Sequence, residues 1–287
     1  MSSSTRTITA NGKDWKIIKI ENQYGTIEII PQAGFSLTSF IWNGRDLIDQ
    51  WDINTFLGTE KDIEFISANT TDSFRKGFGP SIGPWFGQRE EKGKEWQHGL
   101  CRFADWKDLQ ITNNSITGRL DGSKDKVLGR PINDICGYKF GVEISFTLTS
   151  EGLEYRIKNL SEGDKGTFGI HWYWKCPKDS KINLKTPLSA LPADIDTTTF
   201  SKSADGIIAD MNGVPNRRFD SAIGGISVKK GELVYADGAA IEFYYDDTFK
   251  YTVLFKTKES CCFEPVSGEA FQLGTFKEGG YKFIPKV

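Results

Sequence analysis

Only two of the 287 residues are histidine, and both sit in short segments suited to acid–base chemistry. His98 lies in Gln97-His98-Gly99-Leu100-Cys101-Arg102 and His171 in Gly169-Ile170-His171-Trp172-Tyr173-Trp174. A carboxylate, Glu264, stands in Phe263-Glu264-Pro265-Val266-Ser267-Gly268. Imidazole is the side chain that titrates nearest neutrality. Two imidazoles and a carboxylate, each flanked by aromatics or glycine, suffice for proton transfer to and from a hydroxylated ligand.

The composition narrows what that ligand is. Aromatic residues make up 13% of the chain, with 20 Phe, 9 Tyr and 8 Trp against 2 Met, more than an aliphatic core requires. Aromatic faces suit sugar rings, whose C–H surfaces pack on them while the hydroxyls demand polar partners. A net charge of −2 argues against nucleic acid or an anionic membrane as partner. The five cysteines, Cys101, Cys136, Cys176, Cys261 and Cys262, form no CxxC pair, and no local His/Cys spacing suggests a metal. No metal and no cofactor is expected. The first residues, Met1-Ser2-Ser3-Ser4-Thr5-Arg6, lack the apolar stretch of a secretory signal. No run approaches the ~18 apolar residues that span a bilayer. These features predict a cytoplasmic protein with reduced thiols.

Period-two patterning predicts the elements that must hold the three residues. Strands are expected at 15–20, 25–30, 36–42, 45–47, 115–121, 141–149, 154–159, 166–173, 240–245, 251–256, 260–264 and 281–284, with Asn43-Gly44 as a hairpin turn. Helical periodicity is weak, with one turn expected at 51–56. No linker or repeat divides the chain, so one all-β domain over 1–287 is expected, built of antiparallel sheets packed face to face. Two polar, glycine-rich stretches, about 66–95 and 201–224, read as long loops where binding residues sit.

In chain order these segments resemble the aldose 1-epimerase (galactose mutarotase-like) family. The resemblance spans roughly residues 25–285. It is carried by Ile27-Glu28-Ile29-Ile30-Pro31-Gln32-Ala33-Gly34-Phe35-Ser36-Leu37, by Gly83-Pro84-Trp85-Phe86-Gly87-Gln88-Arg89 followed by the His98-Gly99 signature, by His171-Trp172-Tyr173 as His-x-Tyr, by Phe219-Asp220, and by Glu264-Pro265. It implies a β-supersandwich enzyme that interconverts the α and β anomers of a hexose. A base removes the O1 proton while an acid protonates the ring oxygen, the ring opens, and it recloses from the other face. On this resemblance Glu264 is the base, His171 the acid, and His98 orients the sugar near its ring oxygen. Asp220 holds hydroxyls, and Trp85 and Trp172 are candidates to stack on the ring. A carboxylate beside His171 would favour its protonated form, and a bell-shaped pH profile is expected.

The substrate is either a free hexose or a phosphorylated one. The Pro-Trp-Phe-Gly segment and Gln-His-Gly-Leu-x-Arg are similar to the hexose-6-phosphate mutarotase (glucose-6-phosphate 1-epimerase) branch, which grips phosphate with basic residues. Arg102 matches one of these, and either Arg75 or Lys76 the other. Arg89 is similar instead to an arginine of the free-sugar mutarotases that contacts hydroxyls. Plain alternatives stand beside these roles: a salt bridge of Asp220 with Arg217 or Arg218, a structural pairing of Arg102 with Asp105, and core packing for the tryptophans. A noncatalytic carbohydrate-binding protein is the second reading, although a binder has no need of both Glu264 and His171. A glycoside hydrolase or lyase would need a second carboxylate, which Asp220 would supply.

Overall fold

Strands that alternate apolar and polar residues bury one face each, and stacking those faces forms the core. A computed structural model describes residues 1–10, 12–49, 81–91, 94–185, 200–203, 206–210, 217–220, 228–256, 259–269 and 272–287. It describes the backbone alone at 88–91, 94–97, 200, 202–203, 206–207, 209–210, 217–220, 228–229 and 256.

The described chain is nearly all strand, and every named strand pair is antiparallel. A ten-stranded sheet runs in the order Phe200–Ser203, Gly206–Asp210, Lys181–Lys185, Val228–Val234, Ala240–Asp246, Glu278–Lys286, Leu153–Asn159, Gly141–Leu148, Ser115–Asp121, Asp108–Ile111. A second sheet orders Arg217–Asp220, Tyr251–Lys256, Ser260–Val266, Gly169–Ile170 and Ser81–Ile82, with Tyr173–Lys175 also pairing to Ser260–Val266. A five-stranded sheet is built from residues 2–46 in chain order.

Aromatic rings weld the layers. Phe263 of the second sheet stacks on Phe243 of the ten-stranded sheet at 4.6 Å between ring centroids. Phe35, from the turn before Ser36–Trp42, stacks on Trp106 and packs on Phe146. The principal core joins all three sheets. Burying an aliphatic or aromatic core side chain is worth about 1.5–3 kcal/mol each, so this shared core, rather than any single hairpin, holds the sheets together.

The expected strands at 25–30, 36–42, 115–121 and 251–256 match the observed ones residue for residue. Asn43 and Gly44 both take positive φ, as a tight hairpin turn between Ser36–Trp42 and Arg45–Asp46 requires. The expected strand at 166–173 is two short strands, Gly169–Ile170 and Tyr173–Lys175, with His171 and Trp172 between them. The expected loops are corrected as well. Within 66–95 lie Ser81–Ile82 and the hairpin Gln88–Glu91 with Lys94–Gln97, and within 201–224 lie parts of three strands. The hairpin is rich in charge and has no clean apolar alternation, so periodicity misses it. The strand Ser2–Ala10 escapes for the same reason, being exposed along most of both faces. The turn expected at 51–56 lies outside the described residues. No helix among the described residues is long and apolar enough to cross a membrane.

Candidate active site

Glu264 owes its position to a strand buried on both faces. All seven residues of Ser260–Val266 are buried. One face carries Phe263 into the aromatic core, and the other carries Cys262, Glu264 and Val266. An ionisable group on such a strand requires a partner or a function, because burying an unpaired charge is expensive.

The partner comes from the neighbouring interrupted strand. Gly169 pairs with Val266 and Tyr173 with Cys262, the same register on either side of the interruption, so His171 falls opposite Glu264. Opposed residues of an antiparallel pair share a face. His171 Nε2 lies 3.4 Å from Glu264 Oε1. Glu264 is 1% exposed and His171 9%. His171 Nδ1 and Glu264 Oε2 are buried and have no hydrogen-bond partner among the described residues. Buried polar atoms are nearly always satisfied, so two orphans in one pair leave hydrogen-bonding capacity for a polar partner.

His98 arrives by a different device. Its φ is +59°, uncommon for a residue with a side chain, and Gly99 follows at φ +76°. A Cβ on Gly99 would lie 2.1 Å from the Gly83 carbonyl oxygen, so only glycine lets the two segments cross at the Gly83–Gly99 bridge. The Gly87 amide donates to His98 Nδ1 at 3.2 Å, and the His98 amide donates to the Gly87 carbonyl at 2.7 Å. With Nδ1 accepting, a neutral His98 carries its proton on Nε2 and presents a donor. Its ring centroid is 5.3 Å from that of His171 and 4.8 Å from that of Phe86. Tyr173 also stacks on His171, at 4.8 Å between ring centroids. Ile82, Phe86 and Val266 form a small apolar cluster along the same region.

Arg102 is also here, 4% exposed. Burial lowers its guanidinium to about 10, while Tyr173 and Glu264 pull it back up. Burial pushes the Glu264 carboxyl well above its usual range, and the Arg102 charge opposes that push. Burial and then Arg102 lower His171 to about 3. Burial first, then His171 and Arg102, holds His98 well below its ordinary value. Burial thus opposes the protonated His171 that a neighbouring carboxylate is expected to favour. Loss of water disfavours charge on both His171 and Glu264.

The tertiary structure brings together His98, Arg102, His171 and Glu264. Trp85 and Trp172, candidates to stack on sugar with core packing as the alternative, are both buried in the core. Trp172 is fully buried against Phe146, Tyr155, Trp174 and Phe283, because it alternates with His171 and Tyr173 and so faces the core. Trp85 is likewise a core residue. Asp220 pairs with Tyr251 in the sheet that carries Glu264. Arg89 pairs with Trp96 in the hairpin beside His98. Of both, only the backbone is described. Arg75 and Lys76 lie outside the described residues. Tyr173, named from the sequence only as the tyrosine of His-x-Tyr, and Cys262 share the face of the pair, and neither was given a role from the sequence. Strand alternation from His171 and Glu264 would have found them.

No protein-family model and no curated protein matches the chain. Solved structures do. A galactose mutarotase-like protein from Clostridium acetobutylicum superimposes with a TM-score of 0.66 at 13% identity, covering 99% of this chain and 98% of that one. A galactose mutarotase related enzyme from Lactobacillus acidophilus gives 0.65 at 18% identity, covering 94% and 97%. A galactose mutarotase-like protein from Lactobacillus casei gives 0.61 at 16%, covering 94% and 99%. The chain is similar to these over nearly its whole length, and its fold is that of the galactose mutarotase-like proteins, an all-β supersandwich of antiparallel sheets.

Proposed function

We propose that the chain is an aldose 1-epimerase that interconverts the α and β anomers of a hexose. The observation that supports this most is the buried His171–Glu264 pair, 3.4 Å apart, each partner with an unsatisfied polar atom, on a galactose mutarotase-like fold. Ring opening requires one proton to leave O1 and one to reach the ring oxygen, and a pair holding a single proton between two sites is matched to that exchange.

In the ligand-free pair the proton rests on Glu264. Hydroxyls that donate to Glu264 Oε2 stabilise the carboxylate, as does the Arg102 charge, and the proton then passes to His171. Glu264 takes the O1 proton and His171 delivers its own to the ring oxygen. The C1–O5 bond breaks, and O1 becomes the aldehyde oxygen. After rotation about C1–C2, the C5 hydroxyl attacks C1 from the other face, and both protons return. His98 donates from Nε2 to the ring oxygen or a neighbouring hydroxyl and orients the sugar. Asp220 and Arg89 hold hydroxyls away from the reacting centre. No step requires a redox change. One such acid or base is worth about 10²–10⁴ in rate, enough for a reaction already measurable in water.

A phosphorylated hexose is the second reading. It is favoured by Arg102, which stands buried beside the pair rather than on the surface. Anomer exchange followed by NMR with glucose, galactose and glucose 6-phosphate tests both readings. Acceleration is expected with at least one, and the preferred sugar decides between them. No acceleration with any, in folded protein, would leave a noncatalytic carbohydrate-binding role.

A further inference from the structure

Cys262 stands two residues from Glu264 on the same strand face and pairs with Tyr173, whose ring covers His171. One ligand atom each from His171, Cys262 and Glu264 lie within 4.8 Å of one another, and all three residues are buried. Local spacing offers no sign of this set, since the donors come from two strands. Imidazole, thiolate and carboxylate together are a donor set for zinc, which takes such ligands at about 2.0–2.3 Å in tetrahedral array and leaves a fourth position for water when three come from protein. Small side-chain rotations bring atoms 4.8 Å apart to the separations this needs. Glu264 Oε2, in a side chain 1% exposed, and His171 Nδ1 have no partner among the described residues, so donor atoms of the pair remain available.

We propose that His171, Cys262 and Glu264 form a three-donor site for a soft divalent cation, Zn²⁺ above all, that closes down the acid–base pair when occupied. Binding displaces the thiol and carboxyl protons to solvent, and the metal takes the place those protons held. Occupancy removes the base and the acid together, so the cation is an inhibitor of the anomerase chemistry. The inhibition rests on the function proposed above, whereas the binding itself does not.

The test uses the full chain, reduced and freed of metal with a chelator, titrated with Co²⁺. A saturable site of one Co²⁺ per chain is expected, with near-ultraviolet thiolate-to-cobalt charge transfer and the intense visible bands of tetrahedral cobalt, both bleached by Zn²⁺. Cys262→Ser and Cys262→Ala lose the charge-transfer band, while Cys261→Ser, altered on the core side of the strand, keeps it. Near-ultraviolet circular dichroism reports whether each variant is folded. Removing a ligand weakens Zn²⁺ by at least about tenfold, so the Zn²⁺ concentration that halves anomer exchange rises by that factor in Cys262→Ser, each variant being measured against its own chelated rate. Charge transfer that survives in both Cys262 variants, or no saturable cobalt binding, overturns the site. If cobalt binds as expected but the wild type accelerates no anomer exchange, the site stands and the proposed function falls. If Zn²⁺ binds at Cys262 and exchange is unaffected, the inhibitory role is overturned.

Discussion

His171 faces Glu264 across a break in the β ladder, with Nε2 and Oε1 3.4 Å apart. The strands on either side keep one register, so the break leaves the two residues opposed while freeing the His171 and Trp172 backbone from the ladder. The second sheet thus opposes an imidazole and a carboxyl, and His171 Nδ1 and Glu264 Oε2 have no hydrogen-bond partner among the described residues. Groups held in this way need no reorganisation when substrate enters.

Removing the base separates chemistry from fold. Glu264→Gln is expected to lower the enzymatic rate of anomer exchange by about 10²–10⁴, with native circular dichroism retained. NMR exchange spectroscopy on wild type and variant measures it. Undiminished exchange in the variant would remove Glu264 from the reaction.

The same substitution changes how stability depends on pH. Glu264 is raised in the folded state, so folding retains a proton that the unfolded chain releases above about 4.5, and stability falls as pH rises from there toward the folded value. His171 is lowered from 6.5 to about 3, so its contribution is present above 6.5 and is lost as pH falls through that window. Between about 4.5 and 6.5 the two slopes oppose each other. The Glu264 slope is at most about 1.4 kcal/mol per pH unit. Urea unfolding at a series of pH values is expected to show wild-type stability falling relative to that of Glu264→Gln as pH rises above about 4.5. Parallel curves would contradict the burial of an ionisable Glu264.

The rate itself follows a bell whose limbs are displaced outward. The pair works with one proton, so activity is lost when His171 also protonates and when Glu264 loses the last proton. The acid limb of kcat/KM is expected below 6.5, toward about 3, and the alkaline limb above the ordinary carboxylate range. Arg102 pulls Glu264 down, so Arg102→Gln should move the alkaline limb to higher pH. If the substrate is phosphorylated, it should also raise KM for glucose 6-phosphate about 10–100-fold over any change for glucose, the size of a lost charged hydrogen bond. An alkaline limb that does not move would show that Arg102 does not act on the pair.

His98 depends on Gly99. Gly99→Ala forces a Cβ toward the Gly83 carbonyl and puts alanine at φ +76°. A cost of at least about 1–2 kcal/mol from the left-handed conformation alone is expected, with a larger loss of activity than of stability because the His98 ring moves with the turn. Denaturant midpoints and exchange rates of the one variant check both. Wild-type values for each would mean the crossing at Gly83 is slack.

Glu264, His171 and His98 stood out together by residue type and segment, and the strand that carries Glu264 was legible, whereas the expected strand through His171 is interrupted and His98 sits in a turn. The sequence left Trp172 between a sugar-stacking role and core packing, and the packing of Phe146, Tyr155 and Phe283 around its ring favours the core. The charge-rich hairpin Gln88–Glu91 with Lys94–Gln97 was invisible because its partners, not its pattern, make it strand. The protonation state lay further out of reach. A sequence states which groups ionise, but the push toward uncharged His171 and Glu264 comes from how much water the fold removes, reinforced at His171 and opposed at Glu264 by a guanidinium 69 and 162 positions away in the chain. Register, burial and non-local charge are properties of the assembled sheets. They decided which residues meet, whether Cys262 joins them, and in which state they wait.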